Sequence, residues 1–220
     1  MIVEVADIVQ GYFSSLTFID KRAGLVKAIS KTDLDKNNHS VKKTFPVSCN
    51  VSAIDCINSG VYQDLMPNSN NKCILYLEDN GGIRLIGRNG RNFVFKASYR
   101  IVSWINNSKL GYMDCSVSGQ IILALLNALP IQPTNEGIYQ RLFVEVLGQD
   151  PKSYNPFSKY SYDEDKSQYL MRPFDYFSLP IEVEFHLHPS CAETFIEQTE
   201  INCNAVQTQN NYIAEPTANF

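Results

Sequence analysis

Two histidines and a cysteine close to residue 190 have a spacing that zinc sites use. His186, His188 and Cys191 form an H-x-H-x-x-C pattern, and residues two apart on a strand share a face, so both imidazoles could reach one ion. A structural zinc site also needs a fourth ligand and usually paired cysteines, and no C-x-x-C pair occurs. Residues 181–188 alternate apolar and polar types, which by itself places both histidines on a polar face. We therefore predict neither a metal site nor a cofactor site.

A second candidate for metal chemistry is the acidic cluster at residues 163–165. Asp163, Glu164 and Asp165 precede Lys166, and a carboxylate two residues before a lysine occurs in metal-dependent nucleases, where paired carboxylates hold Mg²⁺. Such a site also needs an acidic residue on an upstream strand and a basic groove, and the sequence indicates neither. A solvated turn that begins a short helix near residues 163–170 accounts for the acids. Since no nucleophile elbow, P-loop or dinucleotide-binding glycine pattern occurs either, no catalytic residue is predicted.

Aromatic residues crowd into the segment 150–178, which contains several prolines and is expected to form a long ordered loop. Aromatic side chains are enriched at protein–protein interfaces because they combine large area with few rotatable bonds. They are equally suited to cover an edge of the protein's own core, and the sequence leaves both interpretations open. The candidate interface residues of this segment are Tyr154, Phe157, Tyr160, Tyr162, Tyr169, Phe174, Tyr176 and Phe177.

The apolar periodicity predicts the elements that position these residues. A helix is predicted over 2–16. A second over 118–129 is apolar nearly all round, so both of its sides should be covered, one by the sheet and the other by the first helix or a neighbouring subunit. Strands are predicted over 25–29, 45–51, 72–78, 83–86, 93–105, 142–147 and 181–188, with turns at 79–82 and 88–90 and a polar loop over 31–44. This order predicts an α+β domain over 2–191, with an antiparallel β-sheet built around a long meander with one buried side, and two main helices packed on one face.

The last 29 residues, 192–220, lose the apolar pattern and fill with Thr, Asn and Gln. They contain too little apolar surface to offset an ordering entropy of roughly 1–2 kcal/mol per residue. We expect an extended C-terminal arm that neighbouring molecules order, by offering pockets to its apolar residues or by pairing it with a sheet edge. Its candidate contact residues are Phe195, Ile196, Tyr212 and Ile213.

Composition limits the class of protein. The 220 residues are 44% hydrophobic and carry a formal charge of −4, and no cluster of Lys and Arg is evident, which argues against sequence-specific nucleic-acid binding. The first residues lack the basic and apolar regions of a signal peptide, and no apolar run approaches the roughly 18 residues of a membrane span. We expect a protein of the cytosol and not of the membrane, whose six irregularly spaced cysteines remain thiols.

Three segments follow one another in an order that a family of phage proteins shares. They are the opening DIVQGYFSSLTFIDKRAGLVKAIS, the meander CILYLEDNGGIRLI with FVFKASYRIVSWIN, and the helix GQIILALLNALP. Over residues 2–190 the chain resembles the tail-terminator and tail-completion proteins of tailed bacteriophages. PVSCN, YLEDNG and NPFSKYSYDEDKSQYLMRPFDYFSL are also similar to structural proteins carried by phages of Bacteroidota. The enlarged segment 150–178 and the added tail depart from a minimal tail terminator.

The resemblance implies a head–tail connector of the virion neck, assembled in the bacterial host cytoplasm, which acts by assembly without catalysis. The partners it implies are copies of the chain in a ring of six or twelve, and neighbouring portal, neck and tail proteins. Packaged DNA would be contacted only passively. The alternative from another class is a phage or bacterial metal-dependent nuclease or hydrolase that uses residues 163–165 or the pair His186 and His188.

Overall fold

A computed structural model describes residues 1–34, 37, 39–50, 60, 63–112, 117–148, 154–160 and 169–191. The helices are α1 (Ile2–Tyr12) and α2 (Ser118–Ala128), with 3-10 turns at Phe13–Ser15, Ser108–Leu110 and Pro156–Lys159. The strands are β1 (Lys21–Leu34), β2 (Ser40–Ser48), β3 (Cys73–Asn89), β4 (Asn92–Asn106), β5 (Thr134–Glu136), β6 (Tyr139–Val146) and β7 (Phe174–Leu187). The predicted α+β class is confirmed. The C-terminal arm 192–220 and most of the short helix predicted near 163–170 lie outside the described residues.

The N-terminal helix is held against the sheet by its apolar face and by one glycine. Val5, Ala6 and Val9 share the buried face that their three- and four-residue spacing predicts. A Cβ atom on Gly24 of β1 would lie 3.3 Å from the Cα of Asp7 and 1.9 Å from its Oδ1, so only glycine fits where strand and helix meet. Gly24 therefore lets β1 begin at residue 21, four residues before the strand predicted over 25–29, and pass beneath α1. None of the helices in the described ranges is long and apolar enough to cross a membrane.

Seven strands form one sheet in the order β2-β1-β3-β4-β7-β6-β5. Neighbouring strands are antiparallel except β1 and β3, which form a short parallel pairing that begins at Lys21↔Ile74 and ends at Leu25↔Leu77. This parallel pair corrects the prediction of a purely antiparallel sheet. The centre of the sheet is the pairing of β4 with β7, which is continuous from Phe93↔Leu187 to Asn106↔Phe174.

Two segments predicted as loop or turn belong to strands. Residues 31–34 and 40–44 pair with each other in the β1–β2 hairpin. The prediction of a polar loop over 31–44 is therefore wrong for these residues. Most of them are polar because they occupy exposed positions of the two strands. The predicted turn at 79–82 is a bulge: Asp79 Oδ1 accepts hydrogen bonds from the backbone N–H of Gly81 at 3.0 Å and of Gly82 at 2.6 Å, and the pairing register shifts there. β3 therefore continues to Asn89. The chain turns at Gly90, with φ of 61°, inside the hairpin predicted at 88–90.

Hydrophobic clusters lie on both faces of the sheet. The first cluster joins the inner sides of α1 and α2 to β3, β4, β6 and β7. The second lies on the opposite face, where Leu65, Met66, Phe157 and Tyr160 pack with Trp104. Burial is therefore continuous over residues 101–106 of β4. The prediction of a meander with one buried side is wrong there, because segments distant in sequence supply a second layer.

The second helix is covered on one side only. Ile121 and Leu125 of α2 are buried in the first cluster, whereas Leu123 is 59% exposed and Leu126 is 37% exposed. The described part of the single chain leaves the other side exposed, so its predicted cover by a neighbouring subunit stays a prediction. The apolar residues that led to that prediction leave an exposed apolar strip along the helix.

Candidate functional site

The second face of the sheet changes character along β4 and β7. At one end the cross-strand pairs on this face are Trp104↔Tyr176 and Val102↔Ser178. At the other end they are Ser98↔Glu182, Lys96↔Glu184 and Val94↔His186. These pairs share one face because side chains alternate along a strand with a period of two. We call the first end, residues 101–106 with 174–179, the covered half, and the second, residues 93–99 with 181–187, the open half.

Trp104 is the centre of the covered half. Its side chain is fully buried, and its indole N–H donates a hydrogen bond to the carbonyl oxygen of Tyr169 at 2.6 Å. The indole stacks on Phe174 with ring centroids 5.2 Å apart, and Tyr169 meets it edge-on at 6.2 Å. Phe157 makes a similar edge-on contact with Tyr176 at 5.9 Å. The aromatic segment thus packs on its own sheet in the arrangements that aromatic pairs favour.

The predicted interface residues fall into three groups. Phe157, Tyr160 and Phe177 are buried, so they are core residues of this chain, as the second interpretation of the aromatic segment proposed. Tyr154, Tyr169, Phe174 and Tyr176 are half-buried, and Phe174, Tyr176 and Phe177 lie on β7 instead of in a loop. The residues outside the described ranges are Tyr162, Phe195, Ile196, Tyr212 and Ile213.

A buried carboxylate ties the aromatic segment to the sheet where the two halves meet. Glu78 is 3% exposed; it accepts a hydrogen bond from the hydroxyl of Tyr160 at 2.8 Å and pairs with the ammonium of Lys159 at 2.8 Å. Arg100 lies opposite Glu78 on β4 and packs over the ring of Tyr154 at 4.5 Å. Because a buried charge is costly without partners, this network favours the docked position of residues 154–160.

The open half contains a cavity of about 320 Å³. Strands β4 and β7 line it with Lys96, Glu182, Glu184 and His186, β6 with Arg141, Phe143 and Glu145, and the chain before β5 with Ile131, Gln132 and Pro133. A bulge bends β6 beside the cavity, where Arg141 has a φ of 50°. The cavity therefore combines a charged lining with apolar residues from the adjoining loop and strand.

Lys96 organises the charges of the cavity. Its ammonium lies 3.1 Å from Glu182, 3.8 Å from Glu145 and 4.0 Å from Glu184. Arg84 pairs with the second oxygen of Glu182 at 2.7 Å, so both oxygens of Glu182 have a cationic donor. Glu145 and Glu184 lie beyond hydrogen-bond distance from Lys96. The lining residues comprise three carboxylates and two cations, which gives a formal charge of −1 when His186 is neutral.

The two histidines of the predicted H-x-H-x-x-C pattern have different surroundings. His186 lies on the charged face, as predicted, but is only 5% exposed; its Nε2 is 3.9 Å from Glu184 Oε1. The Nδ1 atom of His188 lies 2.7 Å from the hydroxyl oxygen of Ser190. Within the described ranges, no three His, Cys, Asp or Glu side chains come close enough together to hold a metal ion. The acidic cluster 163–165 lies outside those ranges.

One edge of the open half is an unpaired strand. β1 pairs with β3 only as far as Leu77, and from there to Asn89 the strands of the described chain pair with β3 on its β4 side alone. On this stretch Leu85 is 57% exposed and Ile86 is 46% exposed. The other exposed large apolar residues are Leu34, Val41, Tyr112, Leu123, Leu126, Ile131, Ile138, Phe143 and Met171.

Sequence reasoning found only part of this cavity. The alternation over 181–188 correctly placed Glu182, Glu184 and His186 on one face. It missed Arg141 and Glu145, because the identity of the strands beside β7 depends on topology and not on local pattern. The one local signal was Glu145, a charged residue inside an apolar strand.

No family model, curated protein or solved structure matches the chain.

Proposed function

We propose that the chain is a structural virion protein, a ring subunit of a tailed-phage neck that joins the portal and head to the tail. It acts by assembly and without catalysis. Its partners are copies of itself and the neighbouring portal, neck and tail proteins. Two things support the proposal: the resemblance in the order of segments, and a surface suited to pairing with another chain.

The observation that carries the proposal is the unpaired edge of β3. An open strand edge is a template for pairing with another chain, and monomeric proteins usually blunt it with charges, proline, bulges or a covering loop. This edge contains two bulges, between Asp79 and Gly82 and between Leu85 and Gly87, but no proline. Here the two arginines of the stretch contact their own chain: Arg84 pairs with Glu182, and Arg88 lies over the ring of Phe93 at 4.4 Å. Leu85 and Ile86 are left exposed on this stretch.

A ring also requires a second surface on each subunit that differs from the first, because contacts between unlike surfaces repeat from copy to copy until they close. The exposed strip of α2, formed by Leu123 and Leu126, is one such surface. It belongs to a helix on the first face of the sheet, away from the edge of β3. The chain therefore offers apolar contact area at more than one place.

Negative-stain electron microscopy and native mass spectrometry of the purified chain test the assembly. We expect closed rings of one size, with six or twelve copies. A monomer at every concentration that the buffer supports would overturn the proposal. Antibody labelling of phage particles tests the location, with label expected between head and tail; particles that lack the protein would contradict it.

One pair of variants shows whether the edge of β3 is an assembly surface. Ile86→Lys places a charge on the open edge and should convert rings into smaller species. Met171→Lys is the matched control, because Met171 is 68% exposed and lies near the opposite end of the sheet. It should leave the rings intact. Rings that persist in Ile86→Lys would exclude the β3 edge as an assembly surface.

A further inference from the structure

The β1–β2 hairpin is a basic projection from the sheet. Beyond Leu25 its two strands pair with each other, from Val26↔Ser48 to Leu34↔Ser40, and β1 no longer pairs with β3. Between residues 26 and 48 the sequence has five lysines and two aspartates, a formal charge of +3 in a chain of −4. This local excess corrects the expectation that no basic cluster exists.

Exposed apolar residues accompany the lysines at the tip of the hairpin. Leu34 is 67% exposed and Val41 is 37% exposed. Lys42 follows Val41, is exposed, and lies opposite Thr32 in the pairing of the two strands. The tip thus presents a cation beside apolar side chains.

Two of the carboxylates that line the cavity are accessible to a cation from outside, since Glu145 is 55% exposed and Glu184 is 38% exposed. Among the described residues, Glu145 and Glu184 have no hydrogen-bond donor, since Lys96 is 3.8 Å and 4.0 Å away. His186 is nine-tenths buried, lines the cavity, and has no hydrogen bond to either ring nitrogen within the described chain. An ammonium group could donate to all three side chains, because a lysine has three donors and no acceptor.

The rim of the cavity matches the apolar part of the hairpin tip. Ile131 is 87% exposed and Phe143 is 37% exposed, and both line the cavity. A volume of about 320 Å³ is at the small end of ligand sites. It suits one long side chain better than a large ligand.

We propose that this cavity receives Lys42 from the β1–β2 hairpin of a second copy of the chain. The inference rests on the proposed self-assembly and adds one contact between neighbouring copies to the surfaces named above. β2 and β7 are four strand spacings apart in the sheet, about 19 Å at roughly 4.8 Å each, so the hairpin and the cavity belong to different parts of it. Hairpin and cavity are unlike surfaces near opposite edges of one sheet, so the contact runs head to tail, as a ring requires.

Charge exchange tests the contact. Lys42→Glu and Glu145→Lys should each raise the concentration at which the assembly dissociates by about tenfold, because like charges then meet at the interface. The double variant restores an opposite pair and should return within about threefold of the wild-type value. Arg172→Glu, the same change of charge at an exposed residue before β7, is the matched control and should have no effect.

The outcomes separate this inference from the proposed function. If the wild-type chain is monomeric, the proposed assembly itself fails and the inference fails with it. If wild-type rings form but the single variants assemble normally, or the double variant is not rescued, the assembly stands and this contact is wrong. Binding of a free amine such as spermidine in the cavity of intact rings would also overturn the inference, since Lys42 would then not occupy it.

Carbodiimide cross-linking provides a direct second measurement. The reagent activates a carboxylate, the lysine Nζ attacks it, and an amide bond forms while the carbodiimide leaves as a urea. Rings assembled from mixed ¹⁴N and ¹⁵N subunits should give mixed-isotope peptides that join Lys42 to Glu145 or Glu184. Cross-linked rings in which Lys42 joins neither residue between copies would contradict the proposal.

Discussion

The covered and open halves share the strands β4 and β7, yet they form opposite environments. In the covered half Trp104 is fully buried and hydrogen-bonded to Tyr169. In the open half the side chain of Lys96 is 22% exposed and a cavity separates the strands from the chain before β5. The difference comes from what lies above the sheet, since residues 154–160 and 169–170 pack on the covered half alone. Strand alternation decides which residues share a face, and segments distant in sequence decide whether that face is core or surface.

The largest loss of stability is expected at two neighbouring residues of α2, of which one is buried and the other is partly exposed. Leu125→Asp places a charge in the first cluster, where Leu125 is fully buried, and should cost more than about 4 kcal/mol or abolish folding. Leu126→Asp should cost about 1 kcal/mol, because this side chain is already partly exposed. Urea unfolding followed by the fluorescence of the single tryptophan measures both. Equal losses of stability would show that α2 is covered on two sides.

A somewhat smaller effect is expected in the centre of the covered half. Trp104→Ala removes a buried ring and its hydrogen bond to Tyr169, and should lower the free energy of unfolding by about 3–5 kcal/mol. Trp104→Phe keeps an aromatic ring to stack on Phe174 and should lose less. Circular dichroism during denaturation provides the measurement. A loss below about 1 kcal/mol for Trp104→Ala would mean that residues 154–160 and 169–170 do not cover this half.

The first cluster should also make stability depend on alkaline pH. Burial raises the pKa of Cys73 to about 12, and burial, aided by the carboxylate of Glu4, raises the pKa of Tyr139 to about 12. The unfolded chain ionises these groups near their ordinary pKa values, roughly 8.5 for Cys and 10 for Tyr, while the folded chain keeps them protonated. Stability is therefore full below about pH 8.5 and falls as pH rises toward 12.

Melting temperatures between pH 8 and pH 11 check this dependence, at about half-unit steps. Tyr139→Phe should flatten the decline, with Tyr112→Phe as the control at an exposed phenol. A decline equally steep in Tyr139→Phe would mean that the phenol of Tyr139 is not the group responsible.

The smallest effect is expected for the ion pairs of the open half. Arg84→Ala removes the ion pair with Glu182, whose atoms are 2.7 Å apart. The side chain of Arg84 is 62% exposed, so the free energy of unfolding should fall by only about 0.2–1 kcal/mol. The loss should shrink further at high salt. A loss of several kcal/mol would show that the open half is covered in the single chain.

Only part of the fold could be predicted from the sequence. Apolar spacing found α1, α2, β4 and β7, because one face of each element packs on the first cluster. It failed at Asp79–Gly82, where glycines that typically form a hairpin turn instead form a bulge, since turn and bulge require the same positive φ. It also failed to extend β1 and β2, because exposed hairpin positions have no apolar alternation to detect.

The cavity of the open half could likewise be predicted only in part from the sequence. The positions of Glu182, Glu184 and His186 on one face follow from the period of the strand, so sequence could predict them. Their proximity to Lys96, Arg84 and Glu145 depends on the order of strands in the sheet, which the local pattern does not contain. The burial of Phe157 and Tyr160 likewise depends on the second layer that they form over Trp104.

Amide hydrogen exchange of assembled and dissociated protein tests the central claim most directly, that the open half faces partners and the covered half faces its own chain. Ile86→Lys supplies the dissociated state. On assembly we expect new protection at residues 83–89 and 141–146, beside the open edge and the cavity, and unchanged exchange at residues 101–106 and 174–179. New protection confined to the covered half, or no difference at 83–89 and 141–146 between rings and subunits, would contradict this account.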